Sequence, residues 1–163
     1  ACPDRAGMTD MRLHIREAGL DDLPAIVGML ANDILGSARE EPSLPLHQDY
    51  LAAFDAIATD PNQHLLVAEL AGEIVGTMQL SFLPGLSHVG GWKGQIEAVQ
   101  IASERRGEGL GAQMIRWAIE RCRARGCRVI QLTSNVQRRD AHRFYERLGF
   151  AASHVGMKMK IGD

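Results

Sequence analysis

Arg105-Arg106-Gly107-Glu108-Gly109-Leu110-Gly111-Ala112 stands between a strand-like run and a long amphipathic helix, and its reading decides the fold. Glycines at 107, 109 and 111 let consecutive backbone N–H groups converge with no β-carbons in the way. The start of the helix adds partial positive charge, so the turn suits an anion, above all a pyrophosphate. Taken alone, glycines so spaced can serve merely as a tight turn. Two leading arginines and the strand-to-helix position favour the anion site.

Working outward, Gln95 to Ile101 reads as a strand, Gly109 to Arg125 as a helix and Arg128 to Thr133 as a second strand. Leu110, Met114, Trp117, Ala118 and Cys122 share one side of the helix, and Gly126 falls where a left-handed cap is expected. Strand, long helix and strand imply a parallel pair joined by a right-handed crossover. Before this unit, Arg12 to Glu17 alternates as a first strand, a helix runs from Asp21 to about Leu35, and Gly36 to Leu46 is an irregular loop. A second helix covers His47 to Ala58, and Leu65 to Leu70 and Ile74 to Phe82 form a hairpin across Ala71-Gly72-Glu73. Leu83 to Lys93 is a loop. After the unit come a helix over Ala141 to Leu148, ended by Gly149, and a last strand near His154 to Ile161. The order is that of an α/β fold whose mixed sheet is mostly antiparallel around a central parallel pair, flanked by helices.

A length of 163 residues with 45% hydrophobic and 23% charged content suits one domain, expected over residues 11–163. Residues 1–10 are expected to be disordered or foreign to the fold. A net charge of -2 gives no general attraction to nucleic acid or anionic lipid. Cys2, Cys122 and Cys127 are an odd set in a chain that needs no staples, which points to reduced thiols and a cytoplasmic protein. No apolar run approaches the roughly 20 residues of a membrane span, and the first residues lack a signal peptide's apolar stretch. No metal is expected, because Cys122 and Cys127 have no neighbouring ligand pair.

Two other phosphate motifs compete for the glycine stretch. A P-loop needs Lys and then Ser or Thr after its last glycine, whereas Ala112 and Gln113 follow Gly111. The dinucleotide spelling G-x-G-x-x-G/A is met by Gly107, Gly109 and Ala112, but residues 102–106 separate strand from glycine, and no acidic residue lies in 127–137. A nicotinamide oxidoreductase is therefore a weak alternative.

Arg106-x-x-Gly109-x-Gly111 resembles the acetyl-CoA signature Q/R-x-x-G-x-G/A of the GNAT (GCN5-related N-acetyltransferase) superfamily. Asp140-Ala-His-Arg-Phe-Tyr-Glu-Arg-Leu-Gly-Phe150 resembles its closing A-x-x-F-Y-x-x-x-G-F block, and Val99-Gln100-Ile101 resembles its fourth strand. Within the superfamily, Gly94 to Glu97 and Thr133 to Val136, leading to Asp140 to Tyr145, look similar to aminoalkylphosphonate acetyltransferases, in the coenzyme-binding half. The resemblance implies transfer of acetyl from acetyl-CoA to a primary amine by direct attack in a ternary complex. It implies coenzyme contacts from Val99, Gln100, Ile101, Arg106, Gly107, Glu108, Gly109, Leu110, Gly111, Ala112, Asn135, Ala141 and Phe144. Tyr145 is then the acid for the leaving thiolate, and Glu97 the base, directly or through water.

Each role has a plainer rival. Tyr145 could be core aromatic, Glu97 a strand residue making one hydrogen bond, and Asn135 a turn residue before the last helix. His88, Trp92 and Gln95 are the candidate acceptor contacts, with loops 33–46 and 83–93. The expected partner is a small-molecule amine, and a homodimer is left open. An acyl-CoA-binding sensor without turnover is the alternative of a different class.

Overall fold

The computed structural model describes residues 12–162; the expectation for residues 1–10 lies outside them. Five strands form one sheet in the order β1 (His14–Glu17), β2 (Gln63–Leu70), β3 (Glu73–Leu83), β4 (Trp92–Ile101), β5 (Cys127–Leu132). The first four are antiparallel neighbours, and β4 and β5 run parallel. The helices are α1 (Leu23–Ala31), α2 (Gln48–Thr59), a single turn α3 (Ser87–Gly90), α4 (Leu110–Arg125) and α5 (Arg139–Arg147). No helix among the described residues is long and apolar enough to cross a membrane.

The main core lies between the sheet and α4. Leu66, Met78, Leu80 and Ile96 from the strands meet Met114, Ile115, Ala118 and Cys122 of the helix. The three- and four-residue spacing on α4 thus becomes a buried stripe, and Gly126 caps the helix at φ 81° as expected. Two strand glycines let the helix sit this close. A β-carbon on Gly94 would overlap Cys122 Sγ, and one on Gly76 would lie 2.7 Å from Met114 Sδ. Burial pushes the Cys122 thiol up to about 12, so it behaves as a small apolar side chain.

A smaller cluster joins Leu23 and Ile26 of α1 to Val67 on the other face of the sheet. Arg16 ties this end together: its guanidinium donates to Asp22 Oδ2 and to Glu69 Oε1, both at 2.6 Å. Those bonds hold both carboxyls below their ordinary range. Asp22 also accepts from Gly19 N at 2.7 Å at the entry to α1.

Three expectations are corrected. The helix expected to reach Leu35 stops at Ala31, because Gly36 folds under it: a β-carbon there would overlap the Leu30 carbonyl oxygen. Residues 33–40 are accordingly hydrogen-bonded turns that begin before the expected loop and keep Gly36 buried. Strand β4 starts at Trp92, so the expected loop from Leu83 is shorter and holds α3. The last strand near His154 to Ile161 does not pair, and Val155, Met157, Met159 and Ile161 are all exposed.

Gly94→Ala should lower unfolding free energy by about 1–3 kcal/mol, the usual cost of overpacking. In urea titrations, Gly94→Ala combined with Cys122→Ala should lose less than the sum of the single variants. Strict additivity would place the helix farther from β4.

Candidate functional site: an acyl-coenzyme cradle

Strand β4 changes character halfway along. Trp92 to Ile96 pair with β5, the last partners being Ile96 and Leu132, and beyond them β4 has no β5 neighbour. On the other side β4 stays paired with β3, except for a bulge where Gln79 faces Glu97 and Thr77 faces Gln100. Ala98 takes up the extra residue at φ 51°, a conformation costing a non-glycine residue about 1–3 kcal/mol. The parallel strands therefore part over Glu97 to Ile101. One edge of the β4 backbone is left for a ligand bearing amides.

The glycine stretch lies just past this opening. Ser103–Arg105 forms a 3-10 turn, and Gly107 and Gly109 follow at φ 84° and 78°. Gly109 is the N-cap of α4 and makes no side-chain cap, so the first-turn N–H groups point outward unshielded. A β-carbon at 107 or 109 would meet nothing within 4 Å; these glycines serve backbone conformation and open approach, not internal packing. Gly111 differs, since a β-carbon there would lie 3.5 Å from Phe144 Cζ. Phe144 of α5 thus lies against the first turn of α4.

The side chains of this stretch are also placed. Leu110 is buried and can offer a ligand only its backbone. Arg106 Nε donates to the Ile101 carbonyl at 3.3 Å, and Arg105 Nη2 pairs with Glu108 at 3.2 Å. Arg105 Nε is buried without a hydrogen-bond partner among the described residues. Arg105, one of the two arginines that lead into the glycine stretch, was not itself among the coenzyme contacts expected from the sequence. Unshielded N–H groups, arginines and an open strand edge fit a diphosphate carrying an amide-bearing arm.

Helix α5 brings Tyr145 beside this group. Its ring packs edge-on against Phe144 at 5.0 Å and Phe150 at 5.7 Å between centroids. Among the described residues the phenol hydroxyl makes no hydrogen bond to protein. Burial raises its pKa above the ordinary phenol value, and the positive charge of Arg138 works against the rise. Arg138 is ion-paired with Asp33, which joins the turn after α1 to the start of α5. Asn32 Nδ2 likewise donates to Ser103 Oγ at 3.1 Å, joining that turn to the glycine stretch.

The remaining candidates divide. Val99, Gln100, Ile101, Ala112, Ala141 and Phe144 are half-buried, and Glu97 is exposed on the open part of β4. Asn135 Oδ1 accepts from Gln137 N at 2.9 Å, the turn role weighed against coenzyme contact, which leaves its amide nitrogen free to donate. Gln95 Oε1 accepts from Gln131 Nε2 at 2.7 Å. His88 and Trp92 are not brought to this group. Trp92 faces Arg125 at 4.7 Å, and the His88 carbonyl accepts from Arg128 at 2.7 Å, both at the start of β5. Five residues separate Trp92 from Glu97, about 17 Å along a strand. Among the described residues no group of three or more His, Cys, Asp or Glu side chains could hold a metal ion.

The fold and site are those of an acyl-coenzyme-dependent transferase. The model of the acetyltransferase (GNAT) family matches residues 30–150, and the chain belongs to that family. It is an N-acetyltransferase of the EC 2.3.1 class, and the family uses acetyl-CoA. It is 38% identical over 108 residues to the aminoalkylphosphonate N-acetyltransferase of Salmonella typhimurium, covering 66% of this chain and 70% of that one. To the L-methionine sulfoximine/L-methionine sulfone acetyltransferase of Pseudomonas paraeruginosa it is 31% identical over 157 residues, covering 94% and 87%. A solved structure from Bacillus halodurans C-125, described as a transcriptional regulator, superposes with a TM-score of 0.89 at 49% identity, covering 92% of this chain and 100% of that one. The nicotinamide alternative falls for a structural reason too: the 3-10 turn keeps β4 from running into Gly107.

Gly109→Val should weaken acetyl-CoA binding about tenfold or more in calorimetry, since a branched side chain at φ 78° disturbs the N-cap and obstructs the N–H groups. Circular dichroism should show the fold retained. Unchanged affinity in the folded variant would move the anion away from α4.

Proposed function

We propose that the chain transfers acetyl from acetyl-CoA to the primary amine of a small molecule, by direct attack within a ternary complex. One observation carries the catalytic part. Tyr145 is a protonated phenol whose pKa burial raises further, with its hydroxyl uncommitted, on a helix that packs against the coenzyme loop. When bound, acetyl-CoA supplies an activated acetyl group as a thioester.

The chain's own residues supply the rest. The first turn of α4, with Arg105 and Arg106, holds the coenzyme's phosphates, and the open edge of β4 from Val99 to Ile101 aligns its amide arm. Asn135 donates to that arm through its free amide nitrogen, with Ala141 and Phe144 lining the same side. Tyr145 gives its proton at the hydroxyl to the departing sulfur. Glu97 is exposed, so it takes the amine's proton through water. Gln95 and the 33–46 segment, which Asp33 ties to the start of α5, form the acceptor side, whereas Trp92 and His88 are engaged with Arg125 and Arg128 at the other end of β4.

Two relatives support a small acceptor: their names denote an aminoalkylphosphonate and methionine derivatives, small amines that each carry an acidic group. The formal charge of -2 favours neither DNA nor an anionic surface as target. A sensor without turnover would have no use for an uncommitted acid at the coenzyme sulfur. Free-thiol release over a panel of amines tests the proposal, and binding without thiol release from any amine would favour the sensor.

Tyr145→Phe keeps the ring packing and removes only the hydroxyl. It should leave acetyl-CoA affinity near normal and lower kcat about 10²- to 10⁴-fold. The acid form is lost as pH rises through the raised pKa, so wild-type kcat should hold past the ordinary phenol value of about 10 before falling. That alkaline limb should be absent from the Phe variant. Wild-type kcat in the variant, measured where chemistry limits turnover, would leave Tyr145 as core aromatic.

A further inference from the structure

Tyr50 stands in the first turn of α2, one turn before Phe54, so the two rings share a face of the helix. Phe54 packs against the small cluster of Leu23, Ile26 and Val67, which turns that face inward. The Tyr50 ring is accordingly half-buried, while Gln48 and Asp49 beside it are exposed. Its hydroxyl is fully engaged. It accepts from the Glu41 backbone N–H at 3.0 Å and donates to Glu40 Oε2 at 2.9 Å, and the other oxygen of that carboxylate accepts from Arg39 Nε at 2.6 Å. Burial raises the phenol above its ordinary value, so the O–H remains a donor throughout the neutral range.

The segment these bonds reach has little else to hold it. Up to Glu40 the chain is fastened by its own turns, with Arg39 N and Glu40 N both donating to the Gly36 carbonyl at 2.9 Å, and by the Asp33 to Arg138 pair. From Glu41 to Leu46, Pro42 and Pro45 have no N–H to give. Among the described residues the one hydrogen bond in that stretch is the one from Glu41 to Tyr50. Residues 41–45 are all exposed, and only Leu46 returns to the small cluster. Asp33 therefore fixes where the segment begins, Leu46 fixes where it ends, and Tyr50 fixes the middle.

We propose that Tyr50 is a positioning residue for the amine acceptor: its hydroxyl sets the path of residues 40–46 and, through them, how tightly the acceptor is held. The proposal rests on the assignment of the 33–46 segment to the acceptor side. Two bonds from one rigid ring to adjacent residues fix both a position and a direction, which a single bond or an apolar contact would not. The ties from Asp33 to Arg138 and from Asn32 to Ser103 are made elsewhere, so loss of the Tyr50 bonds leaves the coenzyme side in place.

Steady-state kinetics with 2-aminoethylphosphonate and L-methionine sulfone as probe acceptors test this. If neither is used, the amine that releases thiol fastest takes their place. Tyr50→Phe keeps the ring and should raise acceptor KM about tenfold with kcat changed by less than about twofold, the signature of lost acceptor binding and not of lost chemistry. Acetyl-CoA affinity in calorimetry should be unchanged. Glu40→Gln keeps an oxygen for the hydroxyl and should retain most of the wild-type KM, whereas Glu40→Leu should match Tyr50→Phe. Should these variants fold poorly, amide exchange on the wild type with free coenzyme A decides: protection at Glu41, Ser43, Leu44 and Leu46 should rise when the probe acceptor is added. No rise there would overturn the proposal. A folded Tyr50→Phe with wild-type acceptor KM would overturn it and leave acetyl transfer standing, as would an equal fall in kcat and acetyl-CoA affinity. Absence of thiol release by the wild type from every amine would remove the reading on which the proposal rests, and the proposal with it.

Discussion

Helix α4 lies against β3 and β4 so closely that Gly76 and Gly94 have no room for a β-carbon, and most of what the protein does follows from that seat. The contact fixes the helix axis along the parallel strands. Its N-terminus, with Gly109 as cap, is therefore aimed at the place where β4 and β5 part. Had the helix been held off by an alanine at 94, its partial positive charge would still exist, but at a different angle to the opening. Farther out, Phe144 rests on the first turn of the helix beside Gly111, and Tyr145 follows it on α5. Close packing here is positional information, and the interior is dense enough to transmit it.

The opening itself depends on β4 serving two purposes. Its first half is an ordinary interior strand, hydrogen-bonded on both sides. In its second half the bulge at Ala98 holds a strained backbone, which the flanking pairs to β3 on both sides of it keep in place. The ties from Asp33 to Arg138 and from Asn32 to Ser103 then gather the turn after α1, the glycine stretch and the start of α5 around this half-strand. A change in any of these three segments is felt by the other two.

Local features of the chain were legible. The hairpin across Ala71 and Gly72, the βαβ unit and the glycine stretch each rest on neighbours within a few residues, where periodicity and turn chemistry suffice. Asp33 and Arg138 stand 105 residues apart, and nothing near either one marks the other. The early end of α1 was hidden for a similar reason, because the close approach of Gly36 to the Leu30 carbonyl exists only once the turn has closed. Trp92 and His88 were taken as acceptor contacts from being in a loop, but β4 begins at Trp92 and its ring is occupied by Arg125. The strand expected near His154 to Ile161 rested on alternation alone; a strand needs a partner, and none is supplied among the described residues.

A division of labour explains why the family could be recognised while the acceptor could not. In the proposed reading the coenzyme is met largely by backbone: helix-end N–H groups, an unpaired strand edge, and glycines that clear the approach. Backbone sites demand particular residues at particular spacings, since only glycine tolerates φ near 80° without strain, and such demands leave a spelling in the sequence. The acceptor is met by side chains from turns and loops, where many residue types can supply a charge or a hydrogen bond. Relatives named for different amines are 38% and 31% identical to this chain. In the proposed reading, acceptor choice rests on Gln95 and on the 33–46 segment, in which Gly36 lies against the Leu30 carbonyl and Asp33 pairs with Arg138. That pair also brings the charge of Arg138 near Tyr145, so in the proposed mechanism the segment assigned to the amine is physically coupled to the residue assigned as the acid.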